Sequence, residues 1–218
     1  MSCPARVVCR LLVSILLTAC LQAQSPPSAS SRTASHAKPA TLDPGEIANG
    51  VYRNAFFGFT YKLPFGWVDR TQDMREDSGD EEKPVDRGKS LVLLAVFERP
   101  PDAKGETINS SVVIAAESVA AYPGLKSAAQ YFGPLNEVAT KQELKAVNEP
   151  YEFPVDGRAV VRCDYAGPRG SMTLHQSTLV LLARGYVVSF TFIGGNDDGV
   201  TELIEGLAFG KIKGPAHQ

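Results

Sequence analysis

Residues 158–193, RAVVRCDYAGPRGSMTLHQSTLVLLARGYVVSFTFI, decide the fold. The opening segment alternates, with Ala159, Val161, Cys163 and Tyr165 on one face and Arg158, Val160, Arg162 and Asp164 on the other. A period of two is the mark of a strand. Gly167-Pro168-Arg169-Gly170 turns the chain, and residues 171–182 make a long second strand. Ala183-Arg184-Gly185 turns it again, and 186–193 returns with Tyr186, Val188, Phe190 and Phe192 sharing a face. On the N-terminal side, Asp156-Gly157 is a strong hairpin signal. It joins the run to a short segment, 151–155, which Pro154 assigns to an edge. These four segments predict an antiparallel meander.

Working outward, Phe57-Gly58-Phe59-Thr60-Tyr61-Lys62-Leu63 also alternates, and Pro64 and Gly66 end it, with Trp67 following in the turn. Residues 90–97 are apolar on both faces and predict a central strand; 111–117 predict another. Val200, Leu203, Ile204 and Leu207 lie at i, i+3, i+4 and i+7, one helical stripe, with Asp197 or Asp198 to cap it and Gly210 to end it. Ala128, Tyr131, Phe132 and Leu135 repeat that spacing within 125–146, where Gly133-Pro134 predicts two short helices or a kink. Helices segregated from an antiparallel sheet make an α+β fold, the sheet flanked by helices.

The stretch Tyr52-Arg53-Asn54 followed by Phe57 to Pro64 and Phe65-Gly66-Trp67 resembles the opening of PsbP-like domains, the family of the photosystem II extrinsic protein, which shares its fold with a Ran-binding import factor. Gly157-Arg158-Ala159, Gly185-Tyr186-Val187-Val188 and a last helix ending in a Phe are also similar, so the resemblance covers roughly 50–212. It implies an α/β/α sandwich and a non-enzymatic binding or assembly role. The matching motifs are structural and carry no catalytic residue.

The N-terminus reads as an address. Arg6 and Arg10 precede the short apolar run 11–17, which is below the roughly 20 residues needed to span a bilayer, so 1–19 is expected to be a secretory signal. Leu17-Thr18-Ala19-Cys20 resembles a bacterial lipobox, which implies cleavage before Cys20 and its lipidation; an ordinary cut after Ala23 is the alternative. Leu21 follows the cysteine and no Asp stands there, which favours the outer membrane if the host has two. Residues 20–47, rich in Ser, Ala and Pro, are expected to be a disordered tether reaching roughly 30 Å. Residues 48–213 then form a single domain.

The 218 residues are 44% hydrophobic and 21% charged, as in an ordinary globular protein, with 22 Lys+Arg against 24 Asp+Glu and a net charge of -2. Losing Arg6 and Arg10 with the signal leaves 20 against 24, or -4, which gives no case for nucleic acid. Cys3 and Cys9 also leave with the signal and Cys20 takes lipid, so Cys163 has no partner for an internal disulfide.

The mature chain holds three histidines, His36, His175 and His217. A triad would draw on His175 with Ser177 and Asp164, but no Gly-x-Ser-x-Gly elbow accompanies them. Cys163, on an apolar face, reads as a small hydrophobe. The charge-dense run 69–87 reads as a solvated loop, with Asp77, Asp80 and Glu81 a candidate for weak calcium binding whose spacing is not that of a calcium loop. Phe65 and Trp67 are a candidate ligand or partner groove. No cofactor is expected. The function expected is a lipid-anchored envelope module that docks a protein partner, facing the periplasm or cell exterior. The alternative is a small envelope hydrolase or a small-molecule binder using the groove near Trp67.

Overall fold

The computed structural model describes residues 42–78, 90–100, 102–103 and 105–210. Its strands are β1 (Glu46–Ala48), β2 (Val51–Asn54), β3 (Phe59–Lys62), β4 (Val68–Asp69), β5 (Ser90–Phe97), β6 (Ser111–Ser118), β7 (Lys145–Ala146), β8 (Tyr151–Val155), β9 (Arg158–Arg169), β10 (Met172–Ala183), β11 (Tyr186–Gly194) and β12 (Leu207–Phe209). Its helices are α1 (Thr71–Ser78), α2 (Phe132–Lys141) and α3 (Asp197–Glu205), with 3-10 turns at Val119–Ala121 and Ala128–Tyr131.

All strand pairs are antiparallel, in two sheets. The larger runs β4-β5-β6-β11-β10-β9-β7, with β8 also on β9; the smaller runs β1-β2-β3-β12. The predicted meander is the centre of the large sheet, and each strand lies within a few residues of its expected bounds.

The large sheet buries both faces. On one, Val160, Leu179, Leu181, Val188, Phe190 and Phe192 pack with Tyr52, Phe59 and Tyr61 of the small sheet and with Val200, Leu203 and Ile204 of α3. On the other, Cys163, Tyr165, Leu174, Val180 and Val187 pack under Tyr131, Phe132 and Ala139. Strands therefore dominate, and one face of the expected helix-flanked sheet is covered largely by a second sheet. The small sheet was hidden because β1, β2 and β12 are only three or four residues long, too short to show a period.

Four further differences have local causes. Leu42 is buried in the core and β1 pairs with β2, so the fold begins inside the stretch expected as tether. The expected pair of short helices in 125–146 is present, a 3-10 turn at Ala128–Tyr131 followed by α2, but the break falls before Gly133-Pro134: Pro134 is the third residue of α2, in the first turn, where its missing N–H has no partner to lose. Asn196, not Asp197 or Asp198, caps α3, its Oδ1 accepting from the Gly199 N–H at 2.7 Å. The stripe also stops short: α3 ends at Gly206, whose carbonyl accepts from the Lys62 N–H at 2.8 Å, and Leu207 opens β12 opposite Tyr61. Pairing with the open edge of β3 wins over helical spacing. A Cβ on Gly206 would stand 2.9 Å from the Tyr61 ring, so the exchange requires glycine.

Strand β5, expected as central, lies second from the edge beside the two-residue β4. Its apolar run survives there because α1 closes its open side. Thr71 Oγ1 accepts from the Ala95 N–H at 2.9 Å, and Arg75 donates to the carbonyls of Val92 at 2.6 Å and Leu93 at 3.2 Å. The first part of the charged run is thus a helix rather than a loop.

Candidate functional site

The turns at one end of the two sheets enclose an open cleft of about 800 Å³, lined by residues 55–58, 156–158, 182–184 and 209–210. Two hairpins build one wall. The Asp156-Gly157 turn has φ of 48° and 76°, and the Arg184-Gly185 turn has φ of 53° and 82°. Positive φ at both central residues gives the twist that two-residue hairpins need, which Asp-Gly supplies cheaply. Arg-Gly does not: a bulky residue held left-handed costs about 1–2 kcal/mol. In the β9–β10 register Val180 faces Val161; continued by three residues, it sets Arg158 opposite Ala183, beside Arg184.

Aromatic rings fix both guanidinium groups. Arg158 lies over the Phe209 ring at 5.1 Å from the centroid, and Arg184 over Phe56 at the same distance. Phe56 is itself held edge-on by Phe57 at 4.9 Å and Tyr186 at 6.1 Å. Asp156 also lines the cleft, but its Oδ2 accepts from the Phe209 N–H at 3.0 Å. Among the described residues, neither Arg158 nor Arg184 has a carboxylate within ion-pair distance. The cleft thus presents two oriented cations amid apolar rings, an arrangement suited to recognition. A second cavity, about 640 Å³, lies between α2 and the β7–β9 edge and is mostly apolar, with Tyr165 donating to Asn136 Oδ1 at 2.7 Å.

The candidate triad does not assemble. His175 and Ser177 share a face of β10, but His175 Nδ1 sits 2.7 Å from Asp197 Oδ1. The Ser177 hydroxyl donates to Asp164 and accepts from Arg162 at 3.1 Å, so no imidazole reaches it. Asp164 also accepts from Arg162 Nε at 2.8 Å and Asn148 Nδ2 at 2.6 Å. Burial alone would raise the Asp164 carboxyl, but the hydrogen bonds from Ser177, Arg162 and Asn148 and the Arg162 charge outweigh it and hold the group below the ordinary carboxylate range. This network clamps the edge of β9. Cys163 is fully buried, and burial pushes its thiol up, away from the nucleophilic thiolate.

The other sequence candidates separate. Phe65 is fully exposed at its turn, whereas Trp67 is half-buried against the core, and neither lines the cavities above. Asp77 falls in α1, while Cys20, Asp80, Glu81, His36 and His217 lie outside the described residues. Among the described residues, no helix is long and apolar enough to cross a membrane. Sequence reading missed the cleft because its parts come from four separate turns; the one local signal was Arg184 where a hairpin wants Asn, Asp or Gly.

No protein-family model and no curated protein matches the chain. Among solved structures it is similar to cyanobacterial PsbP from Synechocystis, at 15% identity and a TM-score of 0.44, covering 73% of this chain and 91% of that one. It is similar to LpqN of Mycobacterium tuberculosis, a protein involved in cell envelope biogenesis, at 12% identity and 0.31, covering 61% and 90%. A Pseudomonas aeruginosa protein of unknown function is similar at 19% identity and 0.35, covering 54% and 76%. The Synechocystis structure belongs to the family that residues 52–67 resemble.

Proposed function

We propose that this chain is a non-enzymatic binding or assembly module of the cell envelope, exported by residues 1–19 and tethered through lipid on Cys20. The observation that carries the binding role is the cleft, where Arg158 and Arg184 are held over Phe209 and Phe56 with no carboxylate partner among the described residues. Holding Arg184 left-handed costs backbone strain, which contacts with a complementary bound group offset. The address is supported by the charged start, short apolar run and Leu17-Thr18-Ala19-Cys20 pattern. The domain works at the end of its tether, on the periplasmic or outer face of a membrane, with an envelope protein as its partner.

Two experiments test this. Fractionation of cells making the Cys20→Ala variant reads the anchor: the account expects release from membranes, and unchanged membrane association contradicts it. Crosslinking the tagged full-length protein in its native cells and purifying it from membranes reads the role. A stoichiometric envelope partner is expected; background alone, with the protein still membrane-bound, argues against a binding module.

A further inference from the structure

Resting on that reading, we infer that the cleft recognises an extended acidic segment of the partner, in which carboxylate side chains alternate with apolar ones. Three features of the site lead there. The first is charge: Arg158 and Arg184 face the cleft without an ion-pair partner among the described residues, in a chain whose overall charge is negative. Asp156 lines the same cleft with its Oδ2 on the Phe209 N–H, so the charged lining, two arginines against one carboxylate, is net positive in a net negative chain and favours an anionic group placed there.

The second is geometry. Each guanidinium is anchored to its own ring, Arg158 to Phe209 and Arg184 to Phe56. Each ring contact holds its guanidinium in place. Arg158 also donates one Nη1 bond to the Phe57 carbonyl at 3.5 Å, and the remaining N–H groups can donate to a planar acceptor, of which a carboxylate is the side-chain group that matches the guanidinium fork. Two separately anchored forks suit two carboxylates spaced along a chain better than one compact oxyanion. Phe56, Phe57 and Phe209 also line the cleft and offer apolar surface to the intervening side chain.

The third is strain. Two hairpins flank the cleft with the same left-handed turn; one carries the cheap Asp156-Gly157 pair, the other Arg184-Gly185. Backbone strain that a common substitution would remove gathers at sites where the side chain is needed. At Arg184 the side chain gained is the guanidinium over Phe56.

The test is fluorescence anisotropy with the purified full-length protein in detergent and two labelled, amidated peptides, GEFEFG and its neutral counterpart GQFQFG. The acidic peptide should bind at least 10-fold more tightly than the neutral one, and the R158Q/R184Q double variant should lose at least 10-fold for the acidic peptide alone. Arg184→Asn, which relaxes the turn, gives the same reading at lower amplitude should the double variant fold poorly. Equal binding of both peptides, unchanged binding by the variants, or no binding by the wild type overturns the acidic-segment inference. None of these outcomes touches the binding-module reading, which stands or falls on the crosslinked partner in cells: a partner captured equally by wild type and R158Q/R184Q sinks this inference and leaves that reading in place.

Discussion

The guanidinium of Arg158 lies over the ring of Phe209 at 5.1 Å, and Asp156, two residues before Arg158, accepts the Phe209 N–H at 3.0 Å. The start of β9 and the end of β12 are thereby joined across the two sheets at the rim of the cleft. Phe209 also meets Phe59 and Phe190 edge-on, at 6.2 and 5.9 Å. Phe209→Ala should therefore cost about 2 kcal/mol, less than a fully buried ring, by loss of apolar contact and of the cation's seat. Urea denaturation measures it; a cost under about 0.5 kcal/mol would mean that the ring does not tie the sheets together.

Arg184 pits strain against contact. Arg184→Asn removes a left-handed penalty of about 1 kcal/mol and loses a surface cation–π contact of about 0.5 kcal/mol. The fold should become more stable by a few tenths of a kcal/mol while binding at the cleft weakens. A loss above 1 kcal/mol in the same urea titration would show that the turn is not strained.

The Asp164 network sets an acid limb. Its carboxyl is depressed in the fold, so its contribution is present above the unfolded value near 3.9 and is lost as pH falls through the folded one. Asp164→Asn should cost about 2 kcal/mol at neutral pH, because Arg162 keeps its charge in a half-buried place without its acceptor. The difference from wild type should shrink below about pH 4. A pH-independent difference in thermal or urea stability contradicts this role.

Tyrosines set the alkaline limb. Burial raises Tyr52 to about 12, and burial with the Glu117 carboxylate raises Tyr122 to about 12. Tyr131 is raised by the same two causes, its hydroxyl donating to Glu117 Oε1 at 2.5 Å. A raised group stabilises below its unfolded pKa, near 10, and loses that stability as pH climbs through the folded value. Absorbance of the phenolates should rise late, in step with loss of structure, between about pH 10 and 12. Smooth ionisation near 10 in a still-folded protein would contradict the burial of these rings.

The meander was legible because its strands are long enough to show a period and its turns use Asp156-Gly157 and Arg184-Gly185. Of the small sheet, β3 was legible in the alternation of 57–63, whereas β1, β2 and β12 were not, since three or four residues show no period and β12 stands where the helical stripe of 200–207 continues in sequence. Arg75 and Thr71 closing the edge of β5 could not be read either, because that relation is made across 17 to 24 residues of chain. Phe65 and Trp67 looked alike in sequence, yet one faces solvent and the other packs on the core. The cleft is tertiary throughout, and the sequence carries one local trace of it, Arg184 in a two-residue turn that favours Asn, Asp or Gly.

The central claim is that this protein meets its partner through the cleft, and site-specific photocrosslinking in native cells tests it most directly. A photoreactive residue replaces Ala55, exposed at the cleft rim, or Glu137, exposed on α2. The account predicts one discrete, stoichiometric adduct from position 55 that is absent at 137 and lost with R158Q/R184Q. The same adducts from both positions, or none from 55, would contradict it.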